Sequence, residues 1–317
     1  MRTQRAKKKS KLKRALLIFG IIVGVLIVGA CSYSYYLYHT VNKTADKMYN
    51  PLKGVNNDDL PLKKDTSTAK PLNILILGVD ERKGDKGRSD TMIVATLNPQ
   101  THSMLLTSIP RDTRVQIPGR AGYSKINAAY AYGNEELAVQ TVKKYLNVDI
   151  PYYVKMNMEG LADLVDAVGG VTVHNDIQWT DEGFYKKGYV YKKGDIYLDG
   201  PKAMGFVRMR HEDNRGDFGR NLRQREVIQG ILHKGKSFTS VTKIDNVLNV
   251  LGDNVSTNLS FDDMKRLATE YRSAQQNIKD YELKGSTGMK DGISWVFVSD
   301  AEFQNAHNKI EEQLKDK

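Results

Sequence analysis

Cysteine is almost missing from this chain. Cys31 is the only one, and it lies inside an apolar run. A lone cysteine rules out a disulfide scaffold and a cysteine-ligated metal, and its place in the run leaves no thiol nucleophile elsewhere. The six histidines (His39, His102, His174, His211, His233 and His307) form neither an H-x-x-H nor an H-E-x-x-H pair, so a zinc centre has no ligand set. Basic charge is also scarce where a nucleic-acid binder would need it. The formal net charge is +11, but residues 1–14 hold eight basic side chains and no acid, leaving about +3 for the rest. Basicity belongs to the tail, no helix-turn-helix candidate precedes the apolar run, and no nucleic acid is expected as a partner.

The apolar run itself, Ala15 to Tyr38, contains no charge and exceeds the ~20 residues needed to cross a bilayer. Tyr33, Tyr35, Tyr36 and Tyr38 crowd its distal end, where amphipathic rings favour the headgroup level. The basic flank predicts a cytoplasmic tail (1–14), an uncleaved signal-anchor (15–38) and a type II topology in the cell membrane, with the tail against anionic lipid headgroups. A cleaved signal peptide and a lipoprotein box (Val28-Gly29-Ala30-Cys31) are the rival readings. Residues 39–70, polar and Lys/Asn/Asp-rich with Pro51 and Pro61, read as an extracellular stalk. The domain is expected over 71–317.

Within it, Leu72–Val79 is a continuous apolar run typical of a strand buried on both faces. Thr91–Leu97 and Ser103–Ile109 follow as strands, then helices at Asn127–Tyr132 and Glu135–Leu146, and an extended Tyr152–Met156. Apolar residues at 161, 164, 165 and 168 predict a helix over Met158–Val168. Val171–Val173 is a strand, and 175–200 a long loop or hairpin. Helices are expected at Pro201–Phe206, Gly219–Lys234, Ser240–Leu251 and Phe261–Arg272. A hairpin of Tyr281–Lys284 with Ser294–Val298 and a helix near Ala301–Leu314 complete the chain. Strands interleaved with helices predict an α/β fold, a mixed sheet covered on both sides.

Six arginines fall between Arg208 and Arg225. Crowded guanidinium groups repel one another unless polyanionic oxygens sit between them, and the planar fork of arginine grips two phosphate oxygens at once. Asp217, Arg220 and Gln224 share one face of a helix whose N-terminus Asp217 can cap. Arg208 and Arg210 precede it on a separate element, alternating with Phe206, Val207 and Met209. Acids and arginines recur at strand ends: Asp80 after the first strand, Arg88 and Asp90 before the second, Arg111 and Asp112 after the third. If the first two strands pair antiparallel, Asp80 and Asp90 share one end of the sheet. There they can hold Mg²⁺ (or Mn²⁺) completed by phosphate oxygens. The pattern points to a phosphate or pyrophosphate site, at which either acid can serve as general base.

Asp80, R-S-D-T at 88–91, S-I-P-R-D at 108–112, K-I-N-A-A-Y-A-Y-G at 125–133 and V-R-M-R…D-F-G-R-N-L-R-Q at 207–224 resemble, in order, the LytR-CpsA-Psr family. The motif core covers 71–235, and its details resemble the family's teichoic acid transferases. That resemblance implies an α/β/α sandwich around a mixed sheet, and a transferase. The activity implied moves a glycopolymer such as teichoic acid from undecaprenyl pyrophosphate to the C6 hydroxyl of N-acetylmuramic acid in peptidoglycan, releasing undecaprenyl phosphate. It implies Mg²⁺ at Asp80 and Asp90, with Arg88, Arg111, Arg208, Arg210, Arg220 and Gln224 around the pyrophosphate. Asp217 would orient the arginines, and Arg215 and Arg223 would face solvent. Asp80, Asp90 and Arg111 are the expected catalytic group. A pyrophosphatase with water as acceptor, and a non-catalytic carrier-binding regulator, are the alternatives.

Overall fold

The alternation of side chains along Leu72–Val79 (β1) sends Leu75, Leu77 and Val79 into one apolar layer and Leu72 and Ile74 into another. That division organises the domain. The computed structural model describes residues 28–29, 31–63, 68–81, 87–235 and 241–315. β1 pairs antiparallel with β2 (Ser89–Asn98), which pairs antiparallel with β3 (Ser103–Ser108). On its other side β1 runs parallel to β4 (Tyr152–Asn157), which is flanked by β5 (Val255–Thr257). β6 (Asn277–Glu282) closes the far edge, parallel to β3. The order β5-β4-β1-β2-β3-β6 makes a six-stranded mixed sheet.

One face packs on α1 (Ala128–Leu146) through Ala138, Val139 and Val142, and on Ala306 and Ile310 from the C-terminal helix Asp300–Leu314. α1 is broken at Gly133 and Asn134, the latter at φ 54°, where the sequence predicts a break between two helices. The other face is covered by residues such as Leu259, Met264, Leu267, Tyr271 and Ala274. α2 (Met158–Ala167), α3 (Gly200–Arg208) and α4 (Asp217–Gly235) build a further apolar cluster with Val171, Trp179 and Tyr191. Local chemistry sets where these helices begin. Asn157 accepts from the Glu159 N–H, and Asp199 from the Lys202 N–H with Pro201 in the first turn.

Two expectations are corrected. The terminal hairpin is Ser286–Lys290 with Ile293–Phe297, while the segment around Tyr281 instead joins the central sheet as β6. Much of the stretch expected as a stalk, from Ala45 onward, belongs to the compact unit Ala45–Lys317. Within that unit the Asn50 N–H donates to the Thr257 carbonyl, Leu60 and Leu62 are buried against the sheet, and the Leu62 N–H donates to the Tyr152 hydroxyl at 2.8 Å. Most of the run Ala15–Tyr38 lies outside the described residues, among which no helix is long and apolar enough to cross a membrane.

Leu60 and Leu62 are each worth about 1.5–3 kcal/mol of burial, so a chain starting at Thr68 is expected to melt roughly 10 °C or more below one starting at Ala45. Equal melting temperatures in calorimetry would show that the 45–63 segment is ornamental.

Candidate active site

The register of β1 against β2 slips once. Gly78 faces Thr91 but Val79 faces Ser89, so Asp90 is an extra residue on β2, a bulge at the mouth of the sheet. Its carbonyl lies outside the regular ladder and is met by Arg220 Nη2 at 3.4 Å, while its carboxylate takes Arg111 Nη1 at 2.9 Å. Arg111, just past β3, also approaches Asp217 (3.7 Å) at the start of α4. Asp217 Oδ1 lies 2.9 Å from Arg220 Nη2, one helical turn on, and 3.9 Å from Arg210 Nε. Three guanidinium groups thus share two carboxylates. Arg220 is only 6% exposed.

The electrostatics reflect that imbalance. Burial lowers the Arg220 guanidinium pKa, Asp217 opposes the effect, and Arg111 and Arg210 add to it by repulsion. Arg111 moves the other way, because Asp90 and Asp217 outweigh its burial. Hydrogen bonding is incomplete too. Neither carboxylate oxygen of Asp217 makes a directed hydrogen bond, despite the close guanidinium groups, and Arg111 Nε, Arg220 Nε and Gln224 Oε1 are buried without a partner. Such groups are costly to leave unpaired, and an oxyanion between them would satisfy the donors.

Gln224 links this polar group to an apolar cavity of about 240 Å³. Its walls are Ile76 and Leu77 of β1, Val154 and Met156 of β4, Leu161 and Leu164 of α2, and Ile228, Ile231 and Leu232 of α4. Gly78 keeps one wall thin: a Cβ there would lie 2.9 Å from the Thr91 Cβ and 3.2 Å from the Met158 sulfur. The spacing 224, 228, 231 is one face of α4, so a single helix carries the arginines at its start and the apolar lining behind them. The sequence shows that helix, but not which of its aliphatic residues face a void.

The other expected residues fall as follows. Asp80 directly follows β1, and its N–H donates to the Arg88 carbonyl at 3.3 Å. Gly87, at φ +68°, allows that approach, since a Cβ would sit 2.3 Å from the Asp80 carbonyl oxygen. The Arg88 side chain is exposed, and Arg208 is half-buried at the end of α3, a helix rather than the alternating element expected. Neither joins the Asp90–Asp217 group. Arg223, expected to face solvent, is 1% exposed: it donates to Asp213 at 2.7 Å and to the Met209 carbonyl. Arg215 is exposed and pairs with Asp176 and Asp213. Burial pushes the Asp213 carboxyl up, but Arg215 and Arg223 hold it at about 2. Sequence reasoning passed over Lys155, which bonds Glu81, the residue after Asp80, together with Glu135 and the Tyr130 hydroxyl.

The donor set at the sheet end fits a small hard cation. Asp80 and Asp90 stand at the ends of paired strands, and Mg²⁺ is commonly held by one or two carboxylates with phosphate oxygens. Among the described residues no group of three or more His, Cys, Asp or Glu forms an all-protein cage.

Arg220 and Arg223, three residues apart, should respond in opposite ways. Arg223→Ala leaves buried Asp213 with Arg215 alone and removes the donor to the Met209 carbonyl, and is expected to cost about 3 kcal/mol or more, a loss of roughly 10 °C in Tm. Arg220→Ala relieves repulsion and should melt within about 3 °C of the parent. The stability Asp213 supplies is present above the ordinary carboxylate range and lost as pH falls through about 2. Equal destabilisation of both variants would make Arg220 a structural residue.

The LytR_cpsA_psr family model matches residues 35–312. A polyisoprenyl-teichoic acid–peptidoglycan teichoic acid transferase, TagU of Bacillus anthracis, is 45% identical over 296 residues, covering 93% of this chain and 95% of that protein. The crystal structure of B. subtilis TagU superposes with a TM-score of 0.63 at 38% identity, covering 78% of this chain and 98% of that one. TagT bound to LIIa-WTA superposes with a TM-score of 0.68 at 28% identity, covering 84% and 99%. The match spans the strands, the bulge and the arginine helix described above, and the chain belongs to the LytR-CpsA-Psr family and is a transferase.

Proposed function

We propose that the protein transfers an anionic glycopolymer, a teichoic acid, from an undecaprenyl pyrophosphate carrier to the C6 hydroxyl of peptidoglycan N-acetylmuramic acid. Undecaprenyl phosphate is the leaving group. The observation that carries this reading is the continuity of α4. Under-neutralised arginines at its start adjoin an apolar cavity along its length, as a pyrophosphate joined to a prenyl chain requires. The names of the relatives, and the capture of TagT with LIIa-WTA, support the substrate class.

Arg111, Arg210 and Arg220 bind the pyrophosphate, with Gln224 at the junction to the lipid and Asp217 spacing the guanidinium groups. Arg88 and Arg208 reach the phosphates from the rim. Phosphoryl transfer needs charge neutralisation and in-line placement more than covalent help. Asp80 and Asp90 would hold Mg²⁺, or Mn²⁺, which supplies positive charge to the phosphate oxygens when bound. Asp90 meanwhile fixes the Arg111 fork, so one side chain serves both metal and arginine. The chain works outside the cell, anchored through 15–38 with a cytoplasmic N-terminus.

Three measurements test this. Purified protein, carrier-linked teichoic acid and peptidoglycan oligomers should yield polymer-bearing glycan and undecaprenyl phosphate. Arg220→Ala or Arg210→Ala should lower transfer by about 10- to 100-fold or more, each lost charged hydrogen bond costing about 1.5–3 kcal/mol. Release of free polymer with no glycan product would make the protein a pyrophosphatase. EDTA should stop turnover, and Asp90→Asn should weaken Mn²⁺ binding followed by water-proton relaxation; full activity in metal-free EDTA would remove the metal. Intact mass of the membrane-extracted protein should retain Met1 or Arg2, whereas a lipidated N-terminus at Cys31 would overturn the anchor.

A further inference from the structure

A second cleft of about 680 Å³ meets the arginine group at the β3 and β6 end of the sheet order, whereas the apolar cavity lies against β1 and β4. Arg210 and Asp217 form its inner wall, Glu282 at the end of β6 and Asp112 lie beside them, and Thr287 and Ser294 of the C-terminal hairpin form the outer wall. The hairpin is fastened there by the Val296 N–H donating to the Asp112 carbonyl, and by a bridge between Thr113 and Val296. Trp295, 6% exposed, backs the cleft.

Three observations give this cleft a ligand. The Asp217 side chain is nine-tenths buried, lines the cleft, and has no directed hydrogen bond at either oxygen. Glu282 is held from behind, where Asn221 donates to its Oε1 at 3.0 Å, while Oε2 is 3.7 Å from the nearest Arg225 nitrogen and outside hydrogen-bond range of it. Burial, chiefly, raises the pKa of the Glu282 carboxyl. In-line displacement at phosphorus also puts the incoming oxygen opposite the leaving one. With the prenyl phosphate leaving toward the cavity lined by Gln224, Ile228 and Ile231, the incoming hydroxyl must arrive from the other side of the α4 N-terminus. That side is this cleft.

We infer that the cleft between the Arg210–Phe218 turn and the C-terminal hairpin seats the acceptor sugar, and that Glu282 orients its hydroxyl and accepts the proton. This rests on the transferase reading above. The acceptor oxygen bonds to the polymer-bearing phosphorus, the bond from that phosphorus to the bridging oxygen breaks, and the lipid phosphate departs with the electron pair. The hydroxyl proton passes to the Glu282 carboxylate. A carboxylate partly desolvated by burial is a stronger base for that proton, and removal of a positioned general base typically costs about 10²–10⁴-fold in rate.

The full-length protein in detergent is assayed with carrier-linked teichoic acid and peptidoglycan oligomers of graded concentration, alongside equilibrium binding of the carrier alone. Glu282→Gln should lower kcat for transfer by about 10²-fold or more and leave carrier Kd within about twofold. Thr287→Trp and Ser294→Trp, at exposed hairpin positions, should raise KM for the oligomer about tenfold or more, with carrier Kd unchanged, by filling the cleft. If Glu282→Gln weakens carrier binding as much as transfer, Glu282 serves the phosphate group and the inference fails. It also fails if all three variants transfer at the parent rate. A parent protein that binds carrier but transfers nothing to any oligomer refutes the transferase reading instead.

Discussion

Charge left partly unbalanced around a buried ion pair, Arg220 with Asp217, is the constraint around which this domain is arranged. Arg111, Arg210 and Arg220 crowd Asp90 and Asp217, and the surplus positive charge is held by backbone geometry rather than relieved. Desolvated ions usually survive in pairs that cancel. The same helix provides the comparison: Arg223 sits one turn deeper, and both of its terminal nitrogens are matched, by Asp213 and the Met209 carbonyl. One arginine completes the fold, and its neighbour waits for an anion.

The fold was legible where hydrophobicity decides the structure. Leu72–Val79 emerges from the sheet with the boundaries its apolar run, interrupted only by Asn73, suggests, and the break at Gly133-Asn134 follows from residues that tolerate non-helical backbone. β6 was misplaced because Asn277–Glu282 is a polar edge strand with much of its surface exposed; pairing with β3, not composition, makes it a strand. Leu60 and Leu62 were lost in a polar segment, since two isolated leucines carry no period. Within the site, the arginine density was plain, but its division was not. Whether an arginine is neutralised depends on Asp213 and Asp217, whose reach the one-dimensional spacing does not contain.

α4 brings two chemistries into one rigid element. Its first turns present guanidinium groups and the unpartnered amide oxygen of Gln224, and the same face continues as Ile228 and Ile231. A ligand that is anionic at one end and greasy at the other therefore meets both requirements without any hinge. Position along the helix axis sets the distance between them at about 1.5 Å per residue. Lys155 of β4 bonds Glu81 and Glu135, which fixes the end of β1 next to Asp80.

The bulge at Asp90 separates what a genetic scan would record from what the position does. Its main-chain oxygen faces Arg220, and its carboxylate faces Arg111. Every side-chain replacement leaves the first contact standing, so alanine scanning under-reports this residue. Excising one residue from β2 would be a different lesion. It would restore continuous pairing with β1 and withdraw the carbonyl into the ladder. Insertions and deletions, rather than point substitutions, are the changes to which this corner of the protein is least tolerant.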